Sequence, residues 1–307
     1  MKTLIIGSEG YIGSALMLFF SRPESKIKAE GLDICWFGQY DPNTVKKDYK
    51  DLTPKELEAY DAIILLAGHS SVHMCSGSFD KVLANNLYNF TNLMSKLERL
   101  SKKVKLIYAS SSSIYGRTGS TSAKEEEVNF YPHNNYDIVK YMADLATQRY
   151  DVEYYGMRFG TVNGYSPVMR DDIMINAMVS TAKRTGKIDL FGAGTCRPLL
   201  GINDLCRAVE KILLHDKDER GFYNLASFNT TSSETAHGVS RIIDVPVNIT
   251  EDKNNTSSYS FSICTQKFEN TFDFSFQDSV DSICREIDRN YDSITLTNRR
   301  EAIPYEL

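Results

Sequence analysis

The 307-residue chain has no Cys-x-x-Cys pair, only five histidines and no long apolar run. Each lack removes a class of answer. The six cysteines, at 35, 75, 196, 206, 264 and 284, are scattered, so reduced structural thiols are expected rather than a disulfide framework or a zinc site. The histidines show no metal-ligand spacing, and no metal is expected. The longest apolar stretch, DAIILLAG at 61–68, has the length of a buried strand and falls well short of the roughly 18 residues that read as a membrane span. The opening MKTLIIGSEG has too short an apolar core for a secretory signal, so a cytoplasmic protein is expected, with the sequons at Asn89, Asn229, Asn248 and Asn255 as chance matches. Basic charge is also lacking. Thirty-five Lys and Arg against 40 Asp and Glu give a net charge of −5, which argues against nucleic acid as the main partner, because a phosphate footprint needs a concentrated basic surface. A small anionic ligand needs only a local site and stays open.

What is present is regular. A composition of 42% hydrophobic and 24% charged residues is that of a globular protein long enough to bury a large core. Short apolar runs (KTLIIG, IKAEGLDIC, DAIILLAG, KVKLIYAS, VEYYGMRFG) alternate with helical segments (YIGSALMLFF, FDKVLANNLYNFTNLMSKLERL, NNYDIVKYMADLATQRY). This alternation predicts βαβ units and a doubly wound parallel sheet covered by helices, over about residues 1–165. Such sheets bind ligands at the carboxyl ends of their strands. From 166 to 307 the pattern loosens into a smaller, mixed α/β substrate region, with some elements expected to return to the first domain. Helices are expected at DDIMINAMVSTAKRT, INDLCRAVEKILLH and FQDSVDSICREIDR, strands at GFYNLA, VPVNIT and YSFSI, and a surface loop at EDKNNTSSYS.

Between the first strand and first helix, LIIGSEGYIGSAL places Gly7, Gly10 and Gly13 at G-x-x-G-x-x-G. Glycines there allow a tight turn, the approach of a pyrophosphate to the backbone and close helix–strand contact, which is the start of a Rossmann-type domain. Asp33 ends the second strand. A carboxylate at that point can accept both ribose hydroxyls of an adenosine and would repel a 2′-phosphate, so NAD is favoured over NADP.

Tyr136 and Lys140, in NNYDIVK, stand four apart on one helical face. Tyrosine is a poor base at neutral pH, but a neighbouring ammonium and a nicotinamide cation favour its phenolate. It could then take a hydroxyl proton while hydride leaves the same carbon. The run YASSSSIYG, ending at Gly116, offers serines to assist. If the strand continues through it, alternation turns Ser111 and Ser113 to one side and Ser110 and Ser112 to the other.

These stretches together resemble the extended short-chain dehydrogenase/reductase superfamily, in its NAD-dependent epimerase/dehydratase branch acting on nucleotide sugars. The likeness runs through LIIGSEGYIGS, DYKDL, LLAGHSSV, NNLYNFTNL, YASSSSIYG, YDIVK, RFGTVNGYSP and FGAGTCRPLLGINDL, roughly residues 3–210. The resemblance implies a pyrophosphate turn at Gly7, Gly10 and Gly13 with Tyr11 and Ile12 inside it, Asp33 on the ribose, and Asp51 and Leu52 flanking adenine. Leu66, Ala67 and Gly68 would line the cofactor, with Asn86 the structural asparagine of the long helix. The catalytic set would be Ser111, Tyr136 and Lys140. Arg197 matches the arginine of the substrate diphosphate, while Arg170 and Asn176 lie where substrate contacts are made, and Ser113 would contact sugar or phosphate. The helices containing Asn86 and Tyr136 are those that build a four-helix homodimer interface in such enzymes.

Departures narrow the reading. Dehydratases of this branch carry Asp-Glu directly after the catalytic residue. Here Ser112 and Ser113 stand there, and a hydroxyl cannot replace a carboxylate as general base at neutral pH. A 4,6-dehydratase is therefore not expected. A cysteine found at the position of Ser113 in reductases that also epimerise is absent. Thr161 replaces a usual asparagine, and GIND a usual HVDD. The expectation is an NAD-dependent nucleotide-sugar epimerase acting through a 4-keto sugar. The alternatives are a 4-dehydrogenase or reductase that releases its product, and a non-catalytic NAD-binding protein on the same fold.

Overall fold

The computed structural model describes residues 1–119, 121–127, 129–250 and 260–297. Its strands in chain order are β1 (Lys2–Ile6), β2 (Lys28–Asp33), β3 (Val45–Lys46), β4 (Ala62–Leu65), β5 (Lys105–Ser111), β6 (Tyr154–Phe159), β7 (Thr161–Asn163), β8 (Val168–Arg170), β9 (Ile188–Phe191), β10 (Cys196–Gly201), β11 (Gly221–Leu225), β12 (Phe228–Thr231), β13 (Val247–Thr250) and β14 (Thr295–Thr297). The helices are α1 (Tyr11–Phe20), α2 (Pro54–Leu57), α3 (Phe79–Leu83), α4 (Asn89–Glu98), α5 (Asn135–Thr147), α6 (Met174–Thr185), α7 (Ile202–Leu213), α8 (Ser232–Ile243), α9 (Gln266–Phe272) and α10 (Val280–Asn290).

Seven strands form one sheet in the order β11-β6-β5-β4-β1-β2-β3, and every neighbouring pair is parallel. Strand order reverses direction between β1 and β4, so the crevice that takes a ligand opens there, at the carboxyl ends. The strands alternate their apolar side chains between two cores. Ile5, Ile64, Ile107 and Met157 face Leu16 of α1 and Leu205 and Val209 of α7. Leu4, Ile6, Ile63, Leu65 and Leu106 face Phe90, Leu93 and Met94 of α4 and Val139 of α5. Burial on both faces explains why β4 is an unbroken apolar run.

The segment expected as one helix from Phe79 to Leu100 is interrupted. Between α3 and α4 lies a π-helical turn, Ala84–Tyr88. Its widened turn directs Asn85 and Asn86 at the loop after β4, a common use of such bulges near functional sites. Asn86 accepts from the His69 amide at 2.8 Å and donates to the His69 carbonyl at 2.9 Å, and Asn85 bonds the His69 ring at 3.0 Å.

Beyond β6 the chain builds three small sheets, β12-β10-β7, β13-β9 and β14-β8, and returns β11 to the edge of the main sheet. Helices form at α6, α7 and α10 as the apolar spacing predicts. Two further helices, α8 and α9, were not expected. A capping box of Thr231 and Glu234 starts α8, and α9 buries Phe268 and Phe272. The stretch expected as a strand at YSFSI makes only a bridge from Ile263 to Ala123 among the described residues. All but Ser260 of the expected loop EDKNNTSSYS lies outside the described residues. All six cysteines are free thiols. Among the described residues no helix is long and apolar enough to cross a membrane, and no cluster of metal-ligating side chains occurs.

Candidate active site

A cavity of about 650 Å³ opens at the carboxyl ends of the main sheet, walled by the loops after β1, β2, β4, β5 and β6 and by the start of α5. The glycine turn forms its floor. Gly7 has φ of +94°, and a Cβ on it would lie 2.7 Å from the Ala67 amide nitrogen. A Cβ on Gly13 would lie 2.0 Å from the Gly7 carbonyl oxygen, so α1 can approach the turn only with glycine there. Gly10 is the N-cap of α1 and offers no side-chain acceptor to the first amides of the helix. Those amides are left to an anion, which suits a pyrophosphate. Tyr11 and Ile12 complete the floor, with the Tyr11 hydroxyl turned away to the Gly164 carbonyl at 2.9 Å.

Asp33 stands at the end of β2, on the cavity wall. It accepts from the Glu9 amide at 3.0 Å and the Cys35 amide at 2.7 Å, which fixes the carboxylate on that wall. Glu9, unexpected inside the glycine turn, accepts from the Tyr40 amide at 2.5 Å and so holds down the loop that carries Trp36 and Phe37 over the same wall.

The adenine-flanking pair needs correction. Asp51 is exposed, Leu52 is buried in the core, and neither lines the cavity. Asp48 caps the short 3₁₀ turn Tyr49–Asp51, and the Tyr49 hydroxyl donates to the Asn85 carbonyl at 3.2 Å. That inward turn of Tyr49 carries Asp51 outward, so Lys47, Asp48 and Tyr49 form the wall instead. Leu66, Ala67 and Gly68 line the cavity after β4. Asn86 does not. It sits behind Gly68, where a Cβ would come within 2.8 Å of its Oδ1, and acts as the clamp on His69 described above.

The serine run changes structure halfway. Strand β5 ends at Ser111, and Ser112–Tyr115 is a 3₁₀ turn, so alternation along an extended strand does not reach Ser113. Ser111 and Ser113 nevertheless meet, oxygen to oxygen at 2.8 Å, because Ser111 caps the turn and accepts from the Ser113 amide at 3.2 Å. Ser112 is buried and donates to the Phe159 carbonyl at 2.6 Å.

Tyr136 stands on the first turn of α5 and lines the cavity with Ser111. Burial pushes its phenol up to about 12, against the Ser111 hydroxyl, which draws it down. Lys140, one turn later, is pulled down to about 8 by burial and donates to the Ala109 carbonyl at 2.6 Å. Its ammonium lies 5.7 Å from the centre of the Tyr136 ring. The three side chains expected to act together thus share one corner of the cavity. Asp137 was not anticipated. Its side chain is fully buried, it lines the same corner, and it accepts from the Ser113 hydroxyl at 2.5 Å, the Asn134 amide group at 2.8 Å and the His133 backbone at 3.2 Å. The only signal for it in the sequence is an acidic residue in the first turn of a helix, which capping alone explains.

On the far side lie Thr161, Val162, Arg170, Ile173, Arg197 and Phe261. Arg170 forks onto Asp172 with both contacts at 2.8 Å and reaches the Ser70 carbonyl at 3.3 Å. Arg197 donates to the Cys196 carbonyl at 3.0 Å, with its guanidinium 5.3 Å from the Phe261 ring. Asn176 needs correction as a substrate contact. It is fully buried outside the cavity wall, accepts from the Gly164 amide at 2.9 Å and donates to the Arg170 carbonyl at 3.0 Å, so it braces the loop after β7.

A model of the NAD dependent epimerase/dehydratase family matches residues 3–226. Protein CapI of Staphylococcus aureus is 26% identical over 239 residues, 69% of each chain. Among solved structures, a UDP-glucuronic acid 4-epimerase from Bacillus cereus, in complex with UDP-glucuronic acid and NAD, is similar with a TM-score of 0.81 at 19% identity, over 95% of this chain and 99% of that one. A dTDP-glucose 4,6-dehydratase from Bacillus anthracis, in complex with NAD, gives 0.76 at 20% identity, over 95% and 98%. At such identities the structural likeness establishes the fold, and it spans epimerases and dehydratases alike.

Proposed function

The chain belongs to the NAD-dependent epimerase/dehydratase family, and on that premise we propose that it is a nucleotide-sugar 4-epimerase working through a 4-keto sugar. NAD is its cofactor, and the cradle fits it. The glycines that a Cβ would block, the uncapped start of α1 and the fixed Asp33 carboxylate suit a pyrophosphate and an adenosine ribose in turn. When bound there, NAD supplies the hydride acceptor and, on return, the donor.

The observation that carries the reading is the meeting of Ser111, Tyr136 and Lys140 at the corner of one cavity. Tyr136 takes the proton of the sugar hydroxyl and gives it back. Ser111 hydrogen-bonds the same oxygen and holds it in line. Lys140 lies behind the phenol, and its positive charge offsets the burial that disfavours the phenolate. Arg197 and Arg170 line the same cavity and supply the positive charge that a diphosphate needs. Turning the keto sugar between removal and return of hydride inverts the carbon.

A 4,6-dehydration needs one carboxyl group to remove a proton and another to deliver one. Ser112 is buried against Phe159, Ser113 offers a hydroxyl, and Asp137 lies behind Ser113 with its side chain fully buried. That supports redox chemistry without loss of water. The assembled catalytic corner likewise supports an enzyme over a non-catalytic NAD-binding protein. A groove of Leu87, Thr91, Met142 and Ala146, with exposed Tyr88 and Leu145, runs along α4 and α5 and supports a homodimer through a four-helix bundle.

The test is incubation of the protein with UDP-, GDP- and dTDP-hexoses, following reduced nicotinamide absorbance and product stereochemistry. Inversion at C4 without accumulated reduced cofactor is the expected result. Stoichiometric reduction would make it a dehydrogenase instead, and cofactor retention with no turnover would leave a binding protein.

A further inference from the structure

Asp137 is a buried acid that the mechanism above does not use. Three side chains form an unbroken line there, and its open end lies beside Tyr136, whose phenol feels the Ser111 hydroxyl. Ser111 bonds Ser113 at 2.8 Å, and Ser113 bonds Asp137 Oδ1 at 2.5 Å. The other oxygen of Asp137 is held by two donors, the His133 backbone and the Asn134 amide group, and the residue sits in the first turn of α5. Donors and helix terminus both favour the ionised carboxylate. An ionised carboxylate only accepts. Ser113 must therefore give its single proton to Asp137. The oxygen of Ser113 is left to accept from Ser111, and the oxygen of Ser111 to accept from Tyr136. One acid fixes the direction of every hydrogen bond in the line.

We propose that Asp137 is the terminal proton acceptor of a relay running from Tyr136 through Ser111 and Ser113. The proposal rests on the oxidoreductive reading of this site. As the carbinol C–H bond breaks and its electron pair leaves with hydrogen to the nicotinamide dinucleotide, the C=O bond forms and the hydroxyl proton is released. It passes to the Tyr136 oxygen while the phenolic proton moves to Ser111, that of Ser111 to Ser113, and that of Ser113 to Asp137, which becomes a carboxylic acid. Re-reduction runs the line backward and restores the carboxylate. Passing its own proton on as it takes that of the sugar, Tyr136 carries less of the phenolate charge that burial disfavours and Lys140 offsets. Below about pH 8 Lys140 is an ammonium and has no lone pair to accept with. Asp137 is a positioning residue in this scheme, acting on the sugar only through the serines. Cys75, Lys140 and Arg170 also act electrostatically on this corner.

The experiment replaces Tyr136 by difluorotyrosine, whose phenol titrates at lower pH, and follows it by fluorine NMR without sugar. Ser113→Ala leaves every charge in place but frees Ser111 to donate to the phenolate, so the midpoint should fall by about one pH unit. Asp137→Asn should lower it as well, and Ser113→Thr should keep the original value. An unmoved midpoint in Ser113→Ala overturns the relay, including the case where Asp137→Asn alone shifts it, which is a plain charge effect. With whichever nucleotide hexose is turned over, Asp137→Asn should lower kcat about tenfold at unchanged KM and reduce the solvent deuterium effect on kcat. Absence of any turnover sinks the functional reading alone, because the fluorine titration still reads the relay.

Discussion

Lys140 donates to the Ala109 carbonyl at 2.6 Å and thereby stands with its ammonium 5.7 Å from the centre of the Tyr136 ring. The last turns of β5 set that distance, since Ala109 belongs to the strand and Tyr136 to the helix packed on it. The strand therefore positions Lys140 as well as supplying Ser111.

Removing the phenol should stop the chemistry and spare the cofactor. Tyr136→Phe is expected to lower kcat by roughly 10² to 10⁴-fold, the usual worth of a positioned acid–base group, with NAD binding unchanged by calorimetry. A variant that loses both together would move Tyr136 from catalysis to scaffolding.

Lys140 should leave a mark on stability. Below about pH 8 folded and unfolded chains both carry its proton, and the cost of burying the charge is present in full. Between that value and the ordinary lysine range of roughly 10.4, the unfolded chain binds more protons, so stability rises with pH. In the cofactor-free protein, Tm of the wild type relative to Lys140→Met should climb across that interval and stay flat below it.

Gly13→Ala is expected to weaken NAD binding at least tenfold, because its methyl group would lie 2.0 Å from the Gly7 carbonyl oxygen and push α1 off the turn. Tryptophan fluorescence quenching by NAD would measure it through Trp36, the single tryptophan, which lines the cavity.

Asp33→Ser should relax cofactor choice. With the carboxylate gone, the ratio of NADP to NAD affinity is expected to rise about tenfold or more, read by calorimetry with each dinucleotide.

Tyr88→Asp together with Leu145→Glu would put carboxylates on the groove along α4 and α5. If the wild type forms the proposed homodimer, light scattering should then show a monomer in its place, since buried unpaired charge costs an interface several kcal/mol, on the order of 2–5.

Much of this was legible from periodicity. The order of strands and helices up to β6 follows from apolar runs alternating with helical spacing, and the glycine turn and Asp33 lie where those runs end. Tyr136 and Lys140 were expected from their spacing on one helical face and Ser111 from the resemblance of YASSSSIYG to the family motif, and all three line the one cavity. What stayed hidden depends on irregular backbone. Asp51 was expected at the wall, but a single 3₁₀ turn capped by Asp48 brought Lys47, Asp48 and Tyr49 there instead. Asn176 was read as a substrate contact from its position in a motif, whereas tertiary packing uses its amide on Gly164, Arg170 and Tyr11. Helix α8, whose sequence mixes serines and threonines with a central glycine, carries a weak periodic signal that its capping box offsets. Asp137 needed the third dimension, because nothing in the spacing joins it to Ser113.

The return of β11 to the sheet also orders events during synthesis. β6 can pair with β5 as soon as it leaves the ribosome, but its other edge stays open until Leu225 has emerged. Until then the nascent chain carries an open strand edge, whose unpaired amides and carbonyls can pair with another chain. That interval is when a chaperone has most to shield, and a pause between Phe159 and Gly221 would lengthen it.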